Sequence, residues 1–512
     1  MSGKPENGAA ARGQGEGARL KEGPARELVE AAFGREIADA PILYRGLSLA
    51  DLAHVLMLME VGVVPDGAGR ALLGHLLDLH DVPLEEFPLN PTLEDVYSNR
   101  EAWVKARDEE IAGWMGAGRP RREPATIAYR IAVRDRLLEL AAEIEAAVAA
   151  LIGQAEKHRA TVMPDYTYLQ PATPTSLGHY LLSFAYPLLR DLDRLREAFA
   201  RNNRCPGGIG NINGSRLPLD RARLAELLAF ERAVENTRDA MWQVDQPIEI
   251  STQVLTHLLH LDRLAEDLQI FNTQEFGLVE LADRHARISM IMPQKKNPYS
   301  LAFVRGITGS VMGRLVSMTA VGKTPSAQMD NRIFALGEVP RLLDEGIRTT
   351  RLMAGVLEAL EFDTERMQTR AGKGFTQAMD LAELVMQCDG LSYRGAHRIV
   401  GLAVRLELEA NPSADSVSRE RLDEAAQQVL GRTLRVDDAA LQSLRDPAEV
   451  VGTRQGLGGA ASEPVSEMIQ ECRDVLGEHT AWRRETADRL RTGEDALVRL
   501  AYEASREAAA AK

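Results

Sequence analysis

Apolar residues recur every three to four positions along much of the chain, which is the spacing of one face of an α-helix. One such run spans Leu49 to Met59 and is predicted to end near Gly62. A second run spans Leu137 to Ile152, and a third begins at Ser176. The apolar stripe of the third run is wide, which is typical of a helix buried in a bundle.

Composition agrees with this pattern. Helix-forming residues dominate, and aromatic residues make up only 5% of the 512 positions. The sequence therefore predicts an all-α fold, and its length alone suggests two to four domains.

Charge and cysteine usage exclude several classes of protein. The net charge of −14 argues against nucleic-acid binding. We expect no membrane span, because no apolar run approaches ~18–20 residues. Cys205, Cys388 and Cys472 match no metal or disulfide spacing, so we expect a reducing, cytoplasmic location. The first ~25 residues have the composition of a disordered tail and lack the apolar segment of a signal peptide.

The most particular stretch is Ser289–Pro298, Ser-Met-Ile-Met-Pro-Gln-Lys-Lys-Asn-Pro. Its two prolines predict a loop, because proline fixes φ and lacks a backbone donor. The serine and asparagine can hydrogen-bond an anion, and the lysines bring positive charge to it. The alternative is a solvated basic turn after a helix.

The wording Met-Pro-Gln-Lys-Lys-Asn-Pro resembles the signature of the fumarase/aspartase superfamily, in the form found in argininosuccinate lyases. This resemblance implies that Ser289 removes a proton from the substrate. It also implies that Lys295 and Asn297 hold a substrate carboxylate and the developing aci-carboxylate, with Met290 beside them. The family has Gly-Ser-Ser where this chain has Ile288-Ser289-Met290, so the glycine before the serine is absent.

A basic turn, Gly116–Glu123, resembles the family's Gly-Arg-Ser-Arg-Asn-Asp loop, which binds substrate carboxylates. Arg119, Arg121 and Arg122 are thereby implied as substrate-binding residues. Pro120 stands where the family has a serine, and Arg122 stands where it has an asparagine. These two differences would suit a more anionic or differently shaped substrate. Without the resemblance, the same turn would be interpreted as a solvated run of charges.

Two further segments carry candidate substrate-binding residues. Leu93–Asn99 resembles a family segment with a Glu-Asp-Ile/Val-His motif, and it contributes Tyr97, at the histidine position, and Asn99. A helix start with a buried tyrosine is an equally good interpretation. Gln243 follows Val234–Ala240, which resembles the family's Ser-Glu-Asn-Ser-Leu-Asp-Ala, and it is expected near the substrate.

The turn Met163–Pro171 resembles the family's Met-Pro-Gly-Tyr-Thr-His-Leu-Gln. Thr167 is implied to hold a carboxylate, and the family's histidine is Tyr168. Ala302 occupies the position of the glutamate that orients this histidine in the superfamily. The histidine and the glutamate are therefore both absent from this chain. We interpret this as a rebuilt site, in which a phenol of unperturbed pKa about 10 suits a hydrogen-bond donor or general acid. The alternative is that Tyr168 only fills space.

A glycine-rich segment, Pro206–Gly214, interrupts the helical pattern. It is a weak candidate for nucleotide binding, because no strand precedes it and no Lys-Ser/Thr follows it. It lies where the family has Leu-Gly-Ser-Gly-Ala-Leu-Ala-Gly, a loop near the active site.

The resemblance implies an all-α, fumarase/aspartase-like fold of three helical domains. We predict a tail at residues 1–26, an N-terminal domain at 27–118, a long central bundle at 119–370 and a C-terminal domain at 371–512. The family is homotetrameric, and each of its active sites is built from three subunits, so loops far apart in the chain would meet only in the assembly.

The implied chemistry is β-elimination without a metal or organic cofactor. A carbon–nitrogen lyase would split an N-substituted aspartate, a small carboxylate substrate, into fumarate and an amine. We predict a substrate other than argininosuccinate, because the segment Lys323–Arg332 differs from the family sequence that binds the arginine part of the substrate. The other departures are Tyr97, Pro120, Arg122, Tyr168 and Ala302. A genuine argininosuccinate lyase of arginine biosynthesis and a non-catalytic structural homologue stay open as alternatives.

Overall fold

A computed structural model describes residues 22–506, apart from the side chains of residues 329–333. Most of the predicted tail, residues 1–21, lies outside the described part of the chain. The described part is predominantly helical, which confirms the predicted fold class.

The N-terminal domain is built around one helix that is buried along most of its length. The chain forms α1 (Arg26–Leu28), a π-helical turn (Val29–Phe33), α2 (Gly34–Ile37), α3 (Ala40–Glu60), α4 (Asp66–His80), α5 (Val96–Lys105) and α6 (Glu109–Ala112), with 3₁₀ turns at Leu84–Glu86 and Pro91–Leu93. Helix α3 ends two residues before Gly62, whose φ of 69° allows the reversal. The periodicity thus gave the end of this helix correctly.

Helix α3 is also long and apolar enough to cross a membrane by length and composition. However, 83% of its most apolar window is buried inside the protein. Its side chains pack against α4 and α7 rather than facing outward, which is the behaviour of a core helix.

The central bundle consists of long helices joined by loops and short strands. Its helices and strands are α7 (Arg122–Lys157), β1 (Val162–Thr167), β2 (Gln170–Ser176), α8 (Leu177–Asn202), β3 (Arg204–Cys205), α9 (Arg221–Leu227), β4 (Arg232–Ala233), α10 (Thr237–Trp242), α11 (Asp245–Phe271), β5 (Val279–Glu280), a 3₁₀ turn (Asp283–His285), β6 (Arg287–Ile288), β7 (Lys296–Asn297), α12 (Tyr299–Gly322), α13 (Met329–Glu358) and β8 (Glu361–Phe362). Strands β1–β2, β5–β8 and β6–β7 pair antiparallel, and β3–β4 pair parallel.

The C-terminal domain has its own apolar core, formed by residues between Leu381 and Leu441. The chain reaches this domain through α14 (Thr364–Ala371), whose Met367 packs in the bundle core. The helices that follow are α15 (Ala378–Asp389), α16 (Tyr393–Ala410), α17 (Arg419–Leu430), α18 (Asp438–Ser443) and α19 (Pro447–Gly452), and the chain then enters α20 (Ser462–Arg506).

The 45-residue helix α20 packs on two apolar cores other than that of the C-terminal domain. Its first half packs in the bundle core through Val465 and Ile469, and its last turns pack in the N-terminal core through Leu497 and Ala501. Residues 462–506 therefore leave the C-terminal domain and run back along the other two. A charged amphipathic pattern predicts a helix, but it does not specify the core on which that helix packs.

This placement predicts that Leu497→Ala destabilises the protein. Leu497 is 2% exposed in the N-terminal core, so the substitution leaves a cavity and should lower the free energy of unfolding by about 2–5 kcal/mol. Urea denaturation followed by circular dichroism measures this. The fully exposed Leu457, changed to alanine, is the matched control. Equal stability of the two variants would contradict the packing of α20 on the N-terminal domain.

Candidate active site

The signature stretch forms a small exposed hairpin. Strands β6 and β7 pair Arg287 with Asn297 and Ile288 with Lys296, so Ser289–Lys295 is the connecting loop, as predicted. The Ser289 hydroxyl oxygen accepts a hydrogen bond from the backbone N–H of Met292 (3.1 Å). The Asn297 amide donates to the carbonyl of Arg287 (3.0 Å), across the base of the hairpin.

The second lysine of the signature holds the hairpin to the bundle. Lys296 Nζ lies 2.8 Å from carboxylate oxygens of both Glu280 and Asp283. Lys295 is exposed at the end of the loop and makes none of these contacts. The two adjacent lysines therefore differ in role, since one anchors the hairpin and the other faces solvent.

A second hairpin, β1–β2, carries Thr167 and Tyr168. Thr167 pairs with Gln170, so Tyr168 and Leu169 form a two-residue turn with φ values of 55° and 58°. Such turns normally contain Asn-Gly, because a positive φ costs other residues roughly 1–2 kcal/mol each. The Tyr168 side chain is 99% exposed. The sequence predicted this turn but not the strands that flank it.

Both hairpins lie at the same end of the bundle, which we call the hairpin end. In the β1–β2 hairpin, Tyr166 packs against Phe271 and Phe276, with ring centroids 5.8 and 5.4 Å away. The segment that carries Phe276 also borders a cleft of about 490 Å³, whose other side includes Lys296 and Asn297. Thr167, Tyr168, Ser289, Met290, Lys295 and Asn297 all belong to this end.

The basic turn lies at the start of α7, at the opposite end of the bundle, which we call the arginine end. Its first arginine, Arg119, is buried. Arg119 Nη2 donates to Asp51 Oδ1 (2.6 Å) and its Nε donates to the Met115 carbonyl (3.0 Å). The other oxygen of Asp51 accepts from Nε of the fully buried Arg100 (3.0 Å). Within one chain the Arg119 guanidinium is therefore bound by groups of the domain interior, and its contact with substrate stays a prediction.

Tyr97 and Asn99 are also buried within the chain. Tyr97 is 4% exposed and lies under the Arg119 guanidinium, 5.3 Å from it, so burial raises the pKa of its phenol. The buried Asn99 uses its amide to accept from the backbone N–H of Asn90 (2.7 Å) and to donate to the carbonyls of Asn90 and Asp95. The interpretation as a helix start with a buried tyrosine describes this segment better.

The two remaining arginines of the turn are neutralised by acids. Arg121 pairs with Glu94, and Arg122 pairs with Glu36 through both guanidinium arms. The carboxylate of Asp95 lies 3.7 Å from each arginine. Three acids thus surround two cations, and the extra arginine does not make this turn more attractive to an anion. The expectation of a more anionic substrate is not supported here.

Gln243 also belongs to the arginine end. It follows α10, whose Met241 sulfur accepts from the Thr126 hydroxyl one turn into α7 (3.5 Å). Helix α7 has 36 residues, and at 1.5 Å per residue it is about 54 Å long. Because β1 starts just beyond its C-terminal end, the two groups of candidate residues are separated by roughly 50 Å. One copy of the chain does not bring them together.

Comparison with known proteins decides the family. A family profile described as "Lyase" matches residues 60–313, and one described as "Argininosuccinate lyase C-terminal" matches residues 375–449. The argininosuccinate lyase of Methanoculleus marisnigri is 36% identical over 466 residues, which is 90% of this chain and 92% of that protein. The chain belongs to the argininosuccinate lyase family.

Solved structures of the superfamily agree with this membership. The crystal structure of EDDS lyase in complex with formate has a TM-score of 0.83 and 29% identity, covering 95% of this chain and 98% of that one. A variant of EDDS lyase with bound fumarate gives the same score and identity, and covers 97% of that chain.

Three acids at the arginine end were missed by the sequence analysis. Asp51, Glu36 and Glu94 each neutralise an arginine of the family's substrate-binding turn. Only Asp51 gave a usable signal, since a carboxylate inside the apolar run of α3 requires a buried cation. Nothing in the local sequence connects Glu36 or Glu94 with the turn. The segment Lys323–Arg332, which differs from the family sequence, includes residues whose side chains the structure does not describe.

We predict that Asp51→Ala strongly destabilises the protein. The change leaves Arg100 and Arg119 buried without a counter-charge, which should lower the free energy of unfolding by about 3–5 kcal/mol. Urea denaturation measures it, and Asp78→Ala, an exposed aspartate on α4, is the control. If Asp51→Ala were as stable as the control, Asp51 would not hold the arginine end together.

Proposed function

We propose that the protein is a carbon–nitrogen lyase that splits an N-substituted aspartate into fumarate and an amine. The observation that carries this proposal is the hairpin that holds Ser289 and Lys295 in its exposed loop and Asn297 in its second strand, in a chain of the argininosuccinate lyase family. The named relatives support the reaction class, because they are argininosuccinate lyases and an EDDS lyase that binds fumarate.

In the proposed reaction, Ser289 acts as an oxyanion and takes the proton next to a substrate carboxylate. Lys295 and Asn297 stabilise the aci-carboxylate that forms, which is an electrostatic contribution of the kind that usually dominates catalysis. The electron pair then forms the C=C bond as the C–N bond breaks. Tyr168 supplies the proton to the leaving nitrogen, and Thr167 and Met290 contact the fumarate part.

The contact at Ser289 supports its role as the base. The Met292 N–H points at the hydroxyl oxygen, and a donor to this oxygen favours its charged form over its neutral form. The loop is exposed in one chain, so this stabilisation would grow only when a partner surface excludes water from it.

We further propose that the leaving amine is not arginine. Arg122, which replaces a neutral asparagine of the family motif, is bound to Glu36, so the pocket wall beside the turn is an ion pair rather than an amide. The loss of the histidine and its glutamate at Tyr168 and Ala302 supports the same conclusion. Argininosuccinate itself is the second candidate, because the relatives covering most of the chain carry that name.

Assembly into a homotetramer would complete the site, with copies running in opposite directions so that the arginine end of one meets the hairpin end of another. Arg121 and Gln243 would then approach Ser289 of a different copy. Apolar exposure supports this arrangement, because large exposed apolar patches mark interaction surfaces. The exposed apolar side chains include Tyr168, Leu169, Ile288, Met290, Ile291, Phe303, Met312 and Val316.

We predict that Ser289→Ala lowers fumarate release by roughly 10²–10⁴-fold, because it removes the general base. Absorbance of released fumarate measures this, with argininosuccinate and a panel of other N-succinyl amines as substrates. Ser183→Ala, an exposed serine on α8, is the control. Wild-type turnover by Ser289→Ala would contradict the mechanism.

The same assay separates the alternatives. Release from other N-succinyl amines but not from argininosuccinate supports the proposal. Rapid release from argininosuccinate would identify a genuine argininosuccinate lyase. A folded protein that releases no fumarate from any of them would be the non-catalytic homologue.

The composite site predicts complementation between two inactive variants. Ser289→Ala damages the hairpin end and Arg121→Ala damages the arginine end. If equal amounts are unfolded together and refolded, about a quarter of the sites receive an intact end from each and regain activity. Each variant refolded alone is the control. Absence of recovery in mixed oligomers, verified by two different affinity tags, would mean that the two ends do not share a site.

A further inference from the structure

Glu123 is a fully buried carboxylate to which the proposed reaction assigns no role. It is the second residue of α7, directly after the arginine turn. Its two oxygens accept hydrogen bonds from successive backbone N–H groups, those of Gly208 (2.8 Å) and Ile209 (3.0 Å). These amides belong to the glycine loop, which we define as Gly207–Gly214. Glu123 therefore joins two segments that are 85 residues apart in the chain.

The shape of the glycine loop depends on glycine at two positions. Gly208 and Gly210 have φ values of 71° and 67°, and a Cβ at Gly210 would lie 2.3 Å from the Gly214 carbonyl oxygen. Glycine suits these positions, and it is also the residue with most freedom to leave them. The Gly214 N–H closes the loop by donating to the Ile209 carbonyl (3.1 Å), and the Ile209 side chain is buried. Arg221 donates to the Gly207 carbonyl (3.1 Å) and Thr237 to that of Ile212 (2.8 Å), but among these contacts only Glu123 links the loop to the start of α7.

We propose that Glu123 is a positioning residue that fixes the glycine loop against the arginine turn, so that the arginine end presents one defined surface to the substrate. The inference rests on the proposed function only for its link to the substrate. Within the loop, Asn211 and Asn213 are exposed and would be the polar groups that Glu123 keeps in place.

The charges around Glu123 make this link sensitive to pH. No ion pair of Glu123 occurs in the described part of the chain, and the groups that face it are Arg119, Arg221 and the thiol of Cys205. Arg119 is already paired with Asp51, and Arg221 donates its hydrogen bonds to backbone carbonyls. Burial therefore prevails over the two N–H donors and raises the pKa of Glu123 from 4.5 to about 7.

The direction of the pH effect follows from proton linkage. If opening of the loop exposes Glu123 to water, the closed state holds the proton more tightly than the open state. Closure is then strongest below the ordinary pKa of a glutamate and weakens as the pH rises from about 4.5 to about 7. Above this range both states are ionised, and the strength of closure becomes constant.

Hydrogen–deuterium exchange of the glycine loop tests the proposal without using activity. Glu123→Ala leaves two buried N–H groups without an acceptor, so protection of Gly208 and Ile209 should fall about tenfold or more. Glu145→Ala is the matched control, because Glu145 is a buried carboxylate of the same helix that pairs with Arg483 instead. Unchanged loop protection in Glu123→Ala would overturn the proposal.

Two milder variants separate positioning from simple loss of structure. Glu123→Asp keeps the carboxylate and should recover part of the protection. Glu123→Gln does not titrate, so the fall in loop protection between pH 4.5 and 7, after correction for intrinsic exchange, should be present in the wild type and absent in this variant. A wild-type profile without this fall would overturn the linkage between loop closure and the protonation of Glu123.

Measurement of kcat/KM tests whether the position of the glycine loop matters to the substrate. With any substrate that releases fumarate, kcat/KM should fall about tenfold in Glu123→Ala, recover in part in Glu123→Asp and stay unchanged in Glu145→Ala. If the wild type releases no fumarate, the proposed function fails while the exchange experiment still decides the role of Glu123. Full kcat/KM in a variant whose loop has lost protection would show that loop position does not matter to the substrate.

Discussion

The length of helix α7 is the constraint on which the arrangement of the site depends. Its 36 residues keep the arginine turn and the β1–β2 hairpin about 54 Å apart, and α7 packs closely on α8 and α13. No loop movement within one chain can close such a gap. The proposed site therefore depends on the proposed assembly, in which different copies would contribute the two groups of residues.

The arginine end shows how a substrate-binding turn is held by buried charge. Asp51 accepts from both Arg100 and Arg119 in the interior, while Glu94 and Glu36 bind the outer arginines. A buried arginine without a carboxylate is costly, so each cation of the turn fixes the position of one acid, and each acid belongs to a different segment. Arg122, at the position of the family's asparagine, pairs with Glu36 in the same way.

The sequence predicted the helices well, because their signals are local. The end of α3 at Gly62 and the start of α8 at Ser176, whose hydroxyl caps the helix, follow from residues next to each other. The family motifs likewise located Ser289 and Lys295 in an exposed loop, with Asn297 in the strand that follows it. What the sequence did not predict was long-range: the burial of Asn99 and Arg119, the acids that pair with the turn, and the packing of α20 on two earlier cores. These outcomes depend on which distant surfaces come into contact in the fold. Neither the apolar periodicity nor the sequence of a motif contains information about such contacts.

The geometry of Tyr168 bears on whether it merely fills space. In its own chain it packs against almost nothing, since 99% of it is exposed. It also occupies a turn in which both it and Leu169 have positive φ, at a cost of roughly 1–2 kcal/mol each. Within its own chain Tyr168 therefore does not fill space, because an exposed side chain contributes no buried area to the core. The hairpin with Ser289 lies at the same end of the bundle, which is consistent with the proposal that Tyr168 donates a proton there.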